Sequence, residues 1–599
     1  MDTKRLIFAI ALSVVVIMIY QYVFVPKRPP QPQKAPGQQQ AVPGAGKTDA
    51  KKKADDTTPA SDDMPDIFSK KKEKVVEETP VEVVENNIAD ETIKDVVVET
   101  DLFRAVFTNK GAGLKSFILK KYNDDKKQPM DLISSKVNEK YGTHEIYPFY
   151  LSPFEDTEAF REINRRNFLY KGNLTVNLTG SPGQIKEILF EYADAEQKVY
   201  VMKKFTFSNS SYVVLVDYKV VIDNRVVEAP IVFGPDLENN VSKNRVMQTT
   251  LRIGAYDGED VKEKTFASIN TEAAEGPVEK AIGLLGSNFY WAVYDTNYFA
   301  AIFKTHDKIK YAVIKKKMEE KKEKLYSYII VNNPQAVYLG PKDEQALASA
   351  DEAYQFKNAG EVVDYGWGFI GSIAKIMLKG INLIYGVIPN YGWALVFFTI
   401  FVKILLFPLT YASSVSMAKM QTLQPKIKAI KKKFKNPKDP EQRKQMNMET
   451  MALYKSEKVN PAGGCLPLIL QMPILFAFFR LLPISITFRH EAWILWITDL
   501  SVKDPIYALP ILMGVTQIIV SKMSPTTGDS TQKKIMYIMP VVMVIFFMNY
   551  SSGLNLYWFI ANLLQIGQQY LINQKIFKKK KEEDRQRRVQ KRKKGGKGK

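Results

Sequence analysis

The chain has 599 residues, a formal net charge of +21 at pH 7 and a hydrophobic fraction of 45%. A single Cys excludes a disulfide framework and any cysteine-rich metal or iron–sulfur site. His144, His306 and His490 are the three His residues, and their wide separation without a metal-ligand spacing argues against a zinc enzyme. The mean hydropathy of −0.20 averages very apolar segments with very basic ones and so conceals both.

The N-terminal segment has the length and composition of a membrane anchor. Residues 6–25, LIFAIALSVVVIMIYQYVFV, contain no charged side chain, and as a helix they would span about 30 Å, the thickness of a bilayer core. A small-residue cleavage site is missing, so residues 1–25 are predicted to form a signal-anchor transmembrane helix with a cytoplasmic N-terminus. Residues 26–90, rich in Pro, Gln, Lys and Asp, are predicted to be a disordered periplasmic linker.

Residues 91–345 carry short alternating runs of β-branched and aromatic residues that end in turn-forming residues. Clear examples are 95–109, 198–209, 211–224 and 323–333. Several such runs without long helices between them predict an antiparallel β-sandwich, which the anchor places on the exported side of the membrane. The segment contains no catalytic motif, so a binding or spacing role is favoured over catalysis.

The connection 346–392 ends in an amphipathic pattern. Within 364–388, apolar residues recur at helical spacing, and Lys375 and Lys379 fall on the other side of the predicted helix. This pattern is typical of a helix that lies in the membrane interface. An ordinary helix packed on the sandwich is the alternative.

Residues 393–572 are predicted to form a helical core with five transmembrane helices. The candidate spans are 393–412, 463–484, 506–523, 535–550 and 553–572. The loop 413–460 and the tail 573–599 carry net charges of 12 − 4 = +8 and 14 − 3 = +11. The positive-inside rule puts both segments in the cytoplasm. The sequence therefore predicts a multi-pass protein with two cytoplasmic termini, and with the loop 485–505 and the large β-domain on the outer side of the membrane.

The loop 413–460 is predicted to be a cytoplasmic helical hairpin, broken at 436–440. Its apolar residues recur at steps of three and four, and they include Met417, Met420, Leu423, Ile427, Met451 and Tyr454. Because methionine side chains adapt to different partners, this face is interpreted as a docking surface for apolar segments. A hairpin that packs on itself is the alternative.

The tail 573–599 is interpreted as a disordered polycation. Such a segment favours phosphate-rich partners, here anionic lipids or ribosomal RNA. The residues predicted to bind the ribosome are Lys578, Lys579, Lys580, Arg587, Arg588, Lys591 and Arg592.

Lys403 is the most informative residue of the predicted core. It lies near the middle of 393–412, about 15 Å from either interface, where a charge costs several kcal/mol unless it meets water or a partner. The five candidate spans contain no Asp or Glu but many neutral polar residues, among them Gln471, Gln517, Asn549, Asn562 and Gln565. The sequence therefore predicts a hydrated, positively charged groove for substrate, with a buried, neutral and structural Lys403 as the alternative.

The sequence argues against two classes of transporter, ion-coupled carriers and ATP-driven pumps. Ion-coupled carriers usually hold intramembrane carboxylates and repeated halves, and the sequence has neither. Gly46-Lys47-Thr48 lacks the upstream glycine of a phosphate-binding loop, because position 41 is Ala. No nucleotide, metal or other cofactor is predicted, and the remaining function is attraction of polar segments of a nascent chain.

Five stretches resemble the YidC-type membrane protein insertases, in the order that the family keeps. They are SMAKMQTLQPKIKAI (416–430), MALYKSEKVNPAGGCLPLILQMPI (451–474), ALPILMGVTQIIVSKMSPTT (508–527), KIMYIMPVV (534–542) and SGLNLYWFIANLLQIGQQYLI (552–572). The layout of anchor, large β-domain and five-helix core resembles the Gram-negative form of the family. Where the family usually carries an Arg in its groove, FTIFVKILLFPLT places Lys403.

The resemblance implies a non-enzymatic insertase and foldase of the bacterial inner membrane. The implied partners are nascent membrane proteins, the Sec translocon with its accessory subunits, and the ribosome. A polytopic scaffold that only tethers ribosomes or assembles complexes is the second hypothesis.

Overall fold

The computed structural model describes residues 85–133, 146–154, 158–235, 237, 252–265, 278–318, 322–366, 368–434, 439–457, 459, 466–524 and 530–595. The predicted anchor and nearly all of the predicted linker lie outside these residues. Within them, the first part of the chain is built almost entirely of strands and the last part of helices.

The strands occupy the segment between Asp95 and Pro341. In chain order they are β1 (Asp95–Glu99), β2 (Phe103–Thr108), β3 (Gly113–Asn123), β4 (Pro129–Asp131), β5 (Tyr150–Leu151), β6 (Thr175–Asn177), β7 (Ile185–Asp194), β8 (Val199–Ser208), β9 (Val213–Ile222), β10 (Arg225–Val226), β11 (Ile231–Phe233), β12 (Arg252–Tyr256), β13 (Val261–Thr265), β14 (Val278–Gly286), β15 (Trp291–Asp295), β16 (Phe299–Lys304), β17 (Ile309–Met318), β18 (Lys322–Val331) and β19 (Ala336–Pro341). The predicted run 95–109 is thus two strands, because Thr100 starts a turn in which its Oγ1 accepts hydrogen bonds from the N–H groups of Leu102 and Phe103.

These strands form three sheets. The first has the order β4-β3-β2-β1-β6, the second β13-β12-β15-β16-β19-β9-β8-β7 with β10 paired to β9, and the third β14-β17-β18-β11-β5. The prediction of a purely antiparallel fold is wrong at one place, since β1 and β6 are parallel and Val97 pairs with Thr175. A parallel pair needs a long crossover, and here the chain between the two strands contains β2 to β5 and a short helix.

Aromatic residues join the sheets face to face. In β8, alternate residues are buried along the whole strand, as expected for a strand with one face in a core. The ring of Phe107 on β2 lies 4.7 Å from that of Phe205 on β8, and Phe233 on β11 lies 5.2 Å from Phe303 on β16. These contacts make the strand segment a sandwich with one main apolar core, and a smaller separate cluster lies around Tyr328 and Ile330.

Several ionisable side chains are buried in the sandwich, and two of them, Asp295 and Lys203, differ in whether an opposite charge accompanies them. Asp295 is fully buried and accepts contacts from Arg252 Nη2 at 2.5 Å and Lys342 Nζ at 2.7 Å. Burial alone would raise the pKa of Asp295, but the two cations outweigh it and hold that pKa below its ordinary value. Among the described residues, Lys203 has no such anion. Its amine donates to the carbonyls of Gly111 and Phe149, and burial lowers its pKa to about 7.

The helices follow the sandwich, apart from one short helix within it. They are α1 (Glu158–Arg165), α2 (Glu344–Tyr354), α3 (Gly368–Tyr385), α4 (Tyr391–Leu405), α5 (Phe407–Thr422), α6 (Gln424–Lys433), α7 (Pro440–Ser456), α8 (Leu466–Ile484), α9 (Ala508–Met523), α10 (Ser530–Phe547) and α11 (Ser552–Gly595). By length and composition, α3 is apolar enough to cross a membrane, and the bent pair α4–α5 passes the same test taken together. Shorter apolar helical stretches cover Gln471–Ile484, Ala508–Met523 and Met536–Phe547, so the five spans stay predictions.

The prediction of a disordered C-terminal tail is wrong over the described residues, because α11 runs for 44 residues to Gly595. Its length is about 66 Å. Residues 573–594 contain no Gly or Pro and are rich in Lys, Arg, Glu and Gln, which are good helix formers. A helix that is already formed by the preceding apolar segment can therefore continue through the basic tail at little cost.

The sandwich contacts the helices through the segment that follows α8. The hydroxyl of Tyr298 donates to the carbonyl of Pro483 at 2.7 Å. The guanidinium of Arg489 lies over the rings of Tyr298 and Phe299, at 5.3 and 5.2 Å from their centroids. The segment 483–489 therefore lies at the end of the helical part that faces the sandwich.

Candidate functional site

The helix that carries Lys403 is bent directly after it. The predicted span 393–412 is not one straight helix, because α4 and α5 meet at Leu406 with an angle of 56° between them. Pro408, in the first turn of α5, has no N–H, and its ring would clash with the carbonyl of Ile404 in a continuous helix. Lys403 consequently lies in the last turn of α4, next to a bend, rather than in the middle of a straight span.

A cavity of about 330 Å³ lies beside this bend. It is bounded by α4, α5, α8, α9, Ser524 after α9, and α11, and most of its lining side chains are polar but uncharged. The lining residues are Lys403, Thr410, Ser413, Ser414, Met417, Gln471, Met472, Leu475, Gln517, Val520, Ser524, Tyr557, Trp558, Asn562, Gln565 and Gln569. We call this cavity the Lys403 groove.

Lys403 is buried, with 9% of its surface exposed. Its amine donates to Oε1 of Gln565 at 3.3 Å. Within the described part of the chain, no carboxylate lies within ion-pair distance of this amine, and none is present among the lining residues. The groove therefore contains one cationic side chain surrounded by amide and hydroxyl dipoles, an arrangement that attracts anionic or strongly polar groups.

One face of α11 supplies polar contacts to the bent helix pair. Gln568 Nε2 donates to the backbone carbonyl of Lys403 at 3.3 Å, and Ser414 Oγ on α5 donates to Oε1 of Gln569 at 3.2 Å. Gln565, Gln568 and Gln569 are three and four positions apart and so share one face of the helix. This face links α4 and α5 on both sides of the bend.

The opposite wall of the groove joins α9 to α11. Asn562 Nδ2 donates to the Met513 carbonyl at 3.1 Å and to Thr516 Oγ1 at 3.2 Å. Trp558 Nε1 donates to Oε1 of Gln517 at 3.3 Å. The amide nitrogen of Asn562 therefore links α9 to α11. The hydrogen bond from Trp558 uses the oxygen of the Gln517 side-chain amide and does not involve its nitrogen.

The structure brings together five of the six predicted groove residues: Lys403, Gln471, Gln517, Asn562 and Gln565. Asn549 is the exception and the prediction for it is wrong. Because α10 ends at Phe547, Asn549 lies in the following turn and is exposed.

The sequence analysis missed the hydroxyl side of the groove. Thr410, Ser413 and Ser414 line the cavity from α5, although the predicted span ended at residue 412 and the following residues were assigned to the hairpin. The signal was present as the run of small and hydroxyl residues LTYASSVS after Pro408.

The hairpin that the sequence predicts to be cytoplasmic contains α6 and α7, and its predicted apolar face is divided. Met420, Leu423 and Ile427 are buried together with Val459, and Met417, Leu453 and Tyr454 are packed against them. Met451 is instead 48% exposed. Since Met417 belongs both to this cluster and to the lining of the Lys403 groove, the hairpin begins at the wall of the groove.

The exposed part of α7 borders a shallow cavity of about 490 Å³. Its lining combines cationic and apolar side chains: Pro440, Arg443, Lys444, Asn447, Met448 and Met451. The predicted ribosome-binding residues, Lys578, Lys579, Lys580, Arg587, Arg588, Lys591 and Arg592, all lie within α11. The first of them, Lys578, lies nine residues after Gln569, the last groove residue, which is about 14 Å along the helix.

Two family profiles match the chain. One, described as 60Kd inner membrane protein, matches residues 383–581, and the other, described as YidC periplasmic domain, matches residues 95–379. The first profile covers the groove and the hairpin, and the second covers the sandwich and most of α3.

Full-length relatives and a solved structure are similar to the chain. Membrane protein insertase YidC of Citrifermentans bemidjiense is 32% identical over 586 residues, which cover 96% of this chain and 99% of the relative. Membrane protein insertase YidC of Geotalea daltonii is 33% identical over 591 residues, with the same coverage of 96% and 99%. An active YidC insertase crystal structure with the first transmembrane domain resolved is 17% identical, with a TM-score of 0.34, and the match covers 82% of this chain and 96% of that one.

Proposed function

The chain belongs to the YidC family of membrane protein insertases, and on this premise we propose that it inserts nascent proteins into the bacterial inner membrane through the Lys403 groove. One observation carries the proposal. A buried cation without a carboxylate partner among the described residues lies in a polar cavity of about 330 Å³ between otherwise apolar helices.

The groove lowers the free-energy barrier for a short polar segment. A carboxylate or amide that crosses hydrocarbon loses its water and costs several kcal/mol. In the groove it meets the Lys403 amine and the amide and hydroxyl groups of α5, α9 and α11 instead. The distance that the segment travels through hydrocarbon is shortened, while the apolar part of the same substrate can leave sideways into lipid.

The process needs no bond to be made or broken, so we propose a non-enzymatic insertase and foldase. The driving force is the partition of the substrate's apolar segment into the bilayer, at roughly 25 cal/mol per Å² of apolar surface removed from water. Lys403 acts on the barrier, through its charge, and Gln517 and Gln565 offer hydrogen bonds to the passing polar backbone.

The hairpin and tail are proposed to deliver the substrate. Met451 and Met448 on α7 are exposed beside Arg443 and Lys444, a surface that suits a segment with apolar and acidic residues. Met417 connects this hairpin to the groove wall. The cationic end of α11 is proposed to bind ribosomal RNA or anionic lipids, and the Sec translocon with its accessory subunits is a proposed partner.

The membrane arrangement is part of the same proposal. The N-terminal anchor and the five core helices cross the membrane, the sandwich lies in the periplasm, and both termini are cytoplasmic. Helix α3 is proposed to lie along the outer interface. Its Lys375 contacts Glu361 at 2.9 Å, next to Val362, whose carbonyl accepts a hydrogen bond from Arg252 of the sandwich. Its Tyr385 stacks on Tyr391 at the start of α4.

Depletion of the protein, followed by protease-accessibility assays of small membrane proteins, tests the proposal. We expect substrates with a short acidic translocated segment to remain protease-sensitive on the cytoplasmic side. If insertion continues at the normal rate while membrane complexes fail to assemble, the scaffold hypothesis is correct instead.

A further inference from the structure

The loop of residues 491–500, between α8 and α9, presents apolar side chains at its tip. Backbone hydrogen bonds close it, from Leu500 N–H to the Glu491 carbonyl at 2.9 Å and from Trp493 N–H to the Ile497 carbonyl at 3.0 Å. At the tip, Leu495 is 81% exposed and Ile494 is 38% exposed. We call residues 493–496, Trp-Ile-Leu-Trp, the loop tip.

The tip has the wrong chemistry for a turn in water. Leu495 has a φ of 55°, in the left-handed region that Gly and Asn occupy at much lower cost. Water-exposed turns usually carry Gly, Asn, Asp or Ser at such a position. Leu495 is therefore unfavourable in water both for its backbone conformation and for its exposed side chain.

The tip is held firmly against the start of α4. Asn390 Nδ2 donates to the Ala492 carbonyl at 3.1 Å, and the rings of Trp393 and Trp493 lie 5.7 Å apart. A side chain at position 392 would collide with the Trp493 ring, so only the glycine that is present, Gly392, allows this approach. The position of the tip relative to the helices is thus fixed by the fold.

The exposed apolar surface continues from α3 to this region. Phe369, Ile376 and Leu383, spaced by seven residues, are 58%, 69% and 77% exposed, and Val387 after α3 is 82% exposed. The turn after α3 leads directly to Asn390, which bonds to the loop. The tip begins and ends with a tryptophan, Trp493 and Trp496, a residue type that is enriched where proteins meet the membrane–water interface.

We propose that the loop tip inserts into the outer leaflet of the bilayer beside α3. The occupant of this surface is lipid, because the tip is continuous with the exposed apolar stripe of α3 and contains two Trp residues. The inference rests on the membrane arrangement proposed above, and it adds a lipid contact for a loop that the sequence analysis placed on the outer side of the membrane.

The test uses the full chain, in which its one cysteine, Cys465, is replaced by Ser. The substitution Leu495→Cys then provides a single thiol, which is labelled with an environment-sensitive fluorophore. The protein is reconstituted in vesicles of phosphatidylethanolamine and phosphatidylglycerol that contain a lipid with a nitroxide near the headgroup end of its acyl chain. Ile545→Cys on α10, where the residue is 65% exposed, serves as the membrane control. Val226→Cys on the sandwich, 62% exposed, serves as the water control.

We expect the label at position 495 to be quenched by the nitroxide lipid and protected from aqueous iodide, with a blue-shifted emission relative to the label at 226. Quenching at 545 but iodide access at 495 would overturn the loop inference and leave the membrane arrangement intact. Protection at 495 from both quenchers would identify a protein surface as the occupant and overturn the inference as well. Iodide access at both 495 and 545 would overturn the membrane arrangement together with the inference.

Discussion

Substitution of Lys403 separates a charge mechanism from a structural role. Gln565 Oε1 lies 3.3 Å from the Lys403 amine, so an oxygen of a substrate can come equally close within the groove. Two unit charges about 4 Å apart attract by about 4 kcal/mol at an effective dielectric constant of about 20. Loss of hydration offsets part of this, and a hydrogen bond to a charged group contributes about 1.5–3 kcal/mol net.

We therefore expect Lys403→Ala to lower occupancy of the groove by an acidic segment about ten- to a hundredfold, since about 1.4 kcal/mol is a factor of ten. Lys403→Glu should be worse because it adds repulsion, and Lys403→Arg should retain insertion because it keeps the positive charge. The matched control is Lys522→Ala, which removes an exposed cation of α9 that does not line the groove.

The assay is insertion of newly synthesised substrate into vesicles that contain equal amounts of each variant, read out by protease protection. Two substrates that differ only by Asp or Asn in the translocated segment are compared. The Asp substrate should lose insertion with Ala and Glu at position 403, and the Asn substrate should lose much less. Equal insertion of the Asp substrate by the Ala, Glu and Arg variants would show that Lys403 is structural and that the groove mechanism is wrong.

Three further predictions concern the sandwich and the tail. Asp295→Asn leaves two buried cations without their anion and should destabilise the sandwich by about 3–5 kcal/mol, measured as a shift of its thermal unfolding, whereas Asp217→Asn at an exposed pair should change little. Burial lowers the pKa of Lys203 from 10.5 to about 7, so the unfolded chain binds more protons between these values and stability should rise with pH there, by at most about 1.4 kcal/mol per pH unit. Urea unfolding across this range should show a flatter slope for Lys203→Met, and an unchanged slope would contradict the assignment. Removal of residues 576–599 should weaken ribosome co-sedimentation at low salt, and the contribution of these residues should fall steeply as salt rises.

The parts of the structure that depend on local patterns could be predicted from the sequence. The alternation in β8 indicated a strand with one buried face, and its burial pattern agrees. Polar residues are conspicuous in apolar segments, because each needs a partner or water. For that reason the sequence alone predicted that Lys403 shares a groove with four polar residues of the apolar spans, namely Gln471, Gln517, Asn562 and Gln565.

The features that depend on tertiary geometry could not be predicted in the same way. Pro408 was visible in the sequence, but a proline inside an apolar segment does not reveal whether neighbouring helices keep the segment straight or bent. Because of the bend, Ser413 and Ser414 on α5 line the groove. Asn549 stays outside it, because no described residue of α10 or of the turn that follows it lines the cavity.

The continuation of α11 into the basic tail shows a different limit. Charge density alone favoured disorder for residues 573–599, yet the same residues have high helix propensity and follow a helix that is anchored by Asn562 and Gln569. The composition of the tail does not reveal which effect is larger: the repulsion between its like charges, which opposes the helix, or the propagation of the preceding helix into the tail. Contacts across long sequence distances, such as Tyr298 with Pro483, were likewise outside the reach of pattern analysis.

The most direct measurement of the central claim is site-specific photocrosslinking from the groove to a nascent chain arrested during insertion. A photoreactive residue in place of Gln517, which lines the groove, should crosslink to the polar translocated segment. One in place of Ile545, an exposed residue on the apolar outside of α10, should crosslink to lipid or to the apolar part of the substrate. Crosslinks of the polar segment from position 545 but none from position 517 would contradict passage through the Lys403 groove.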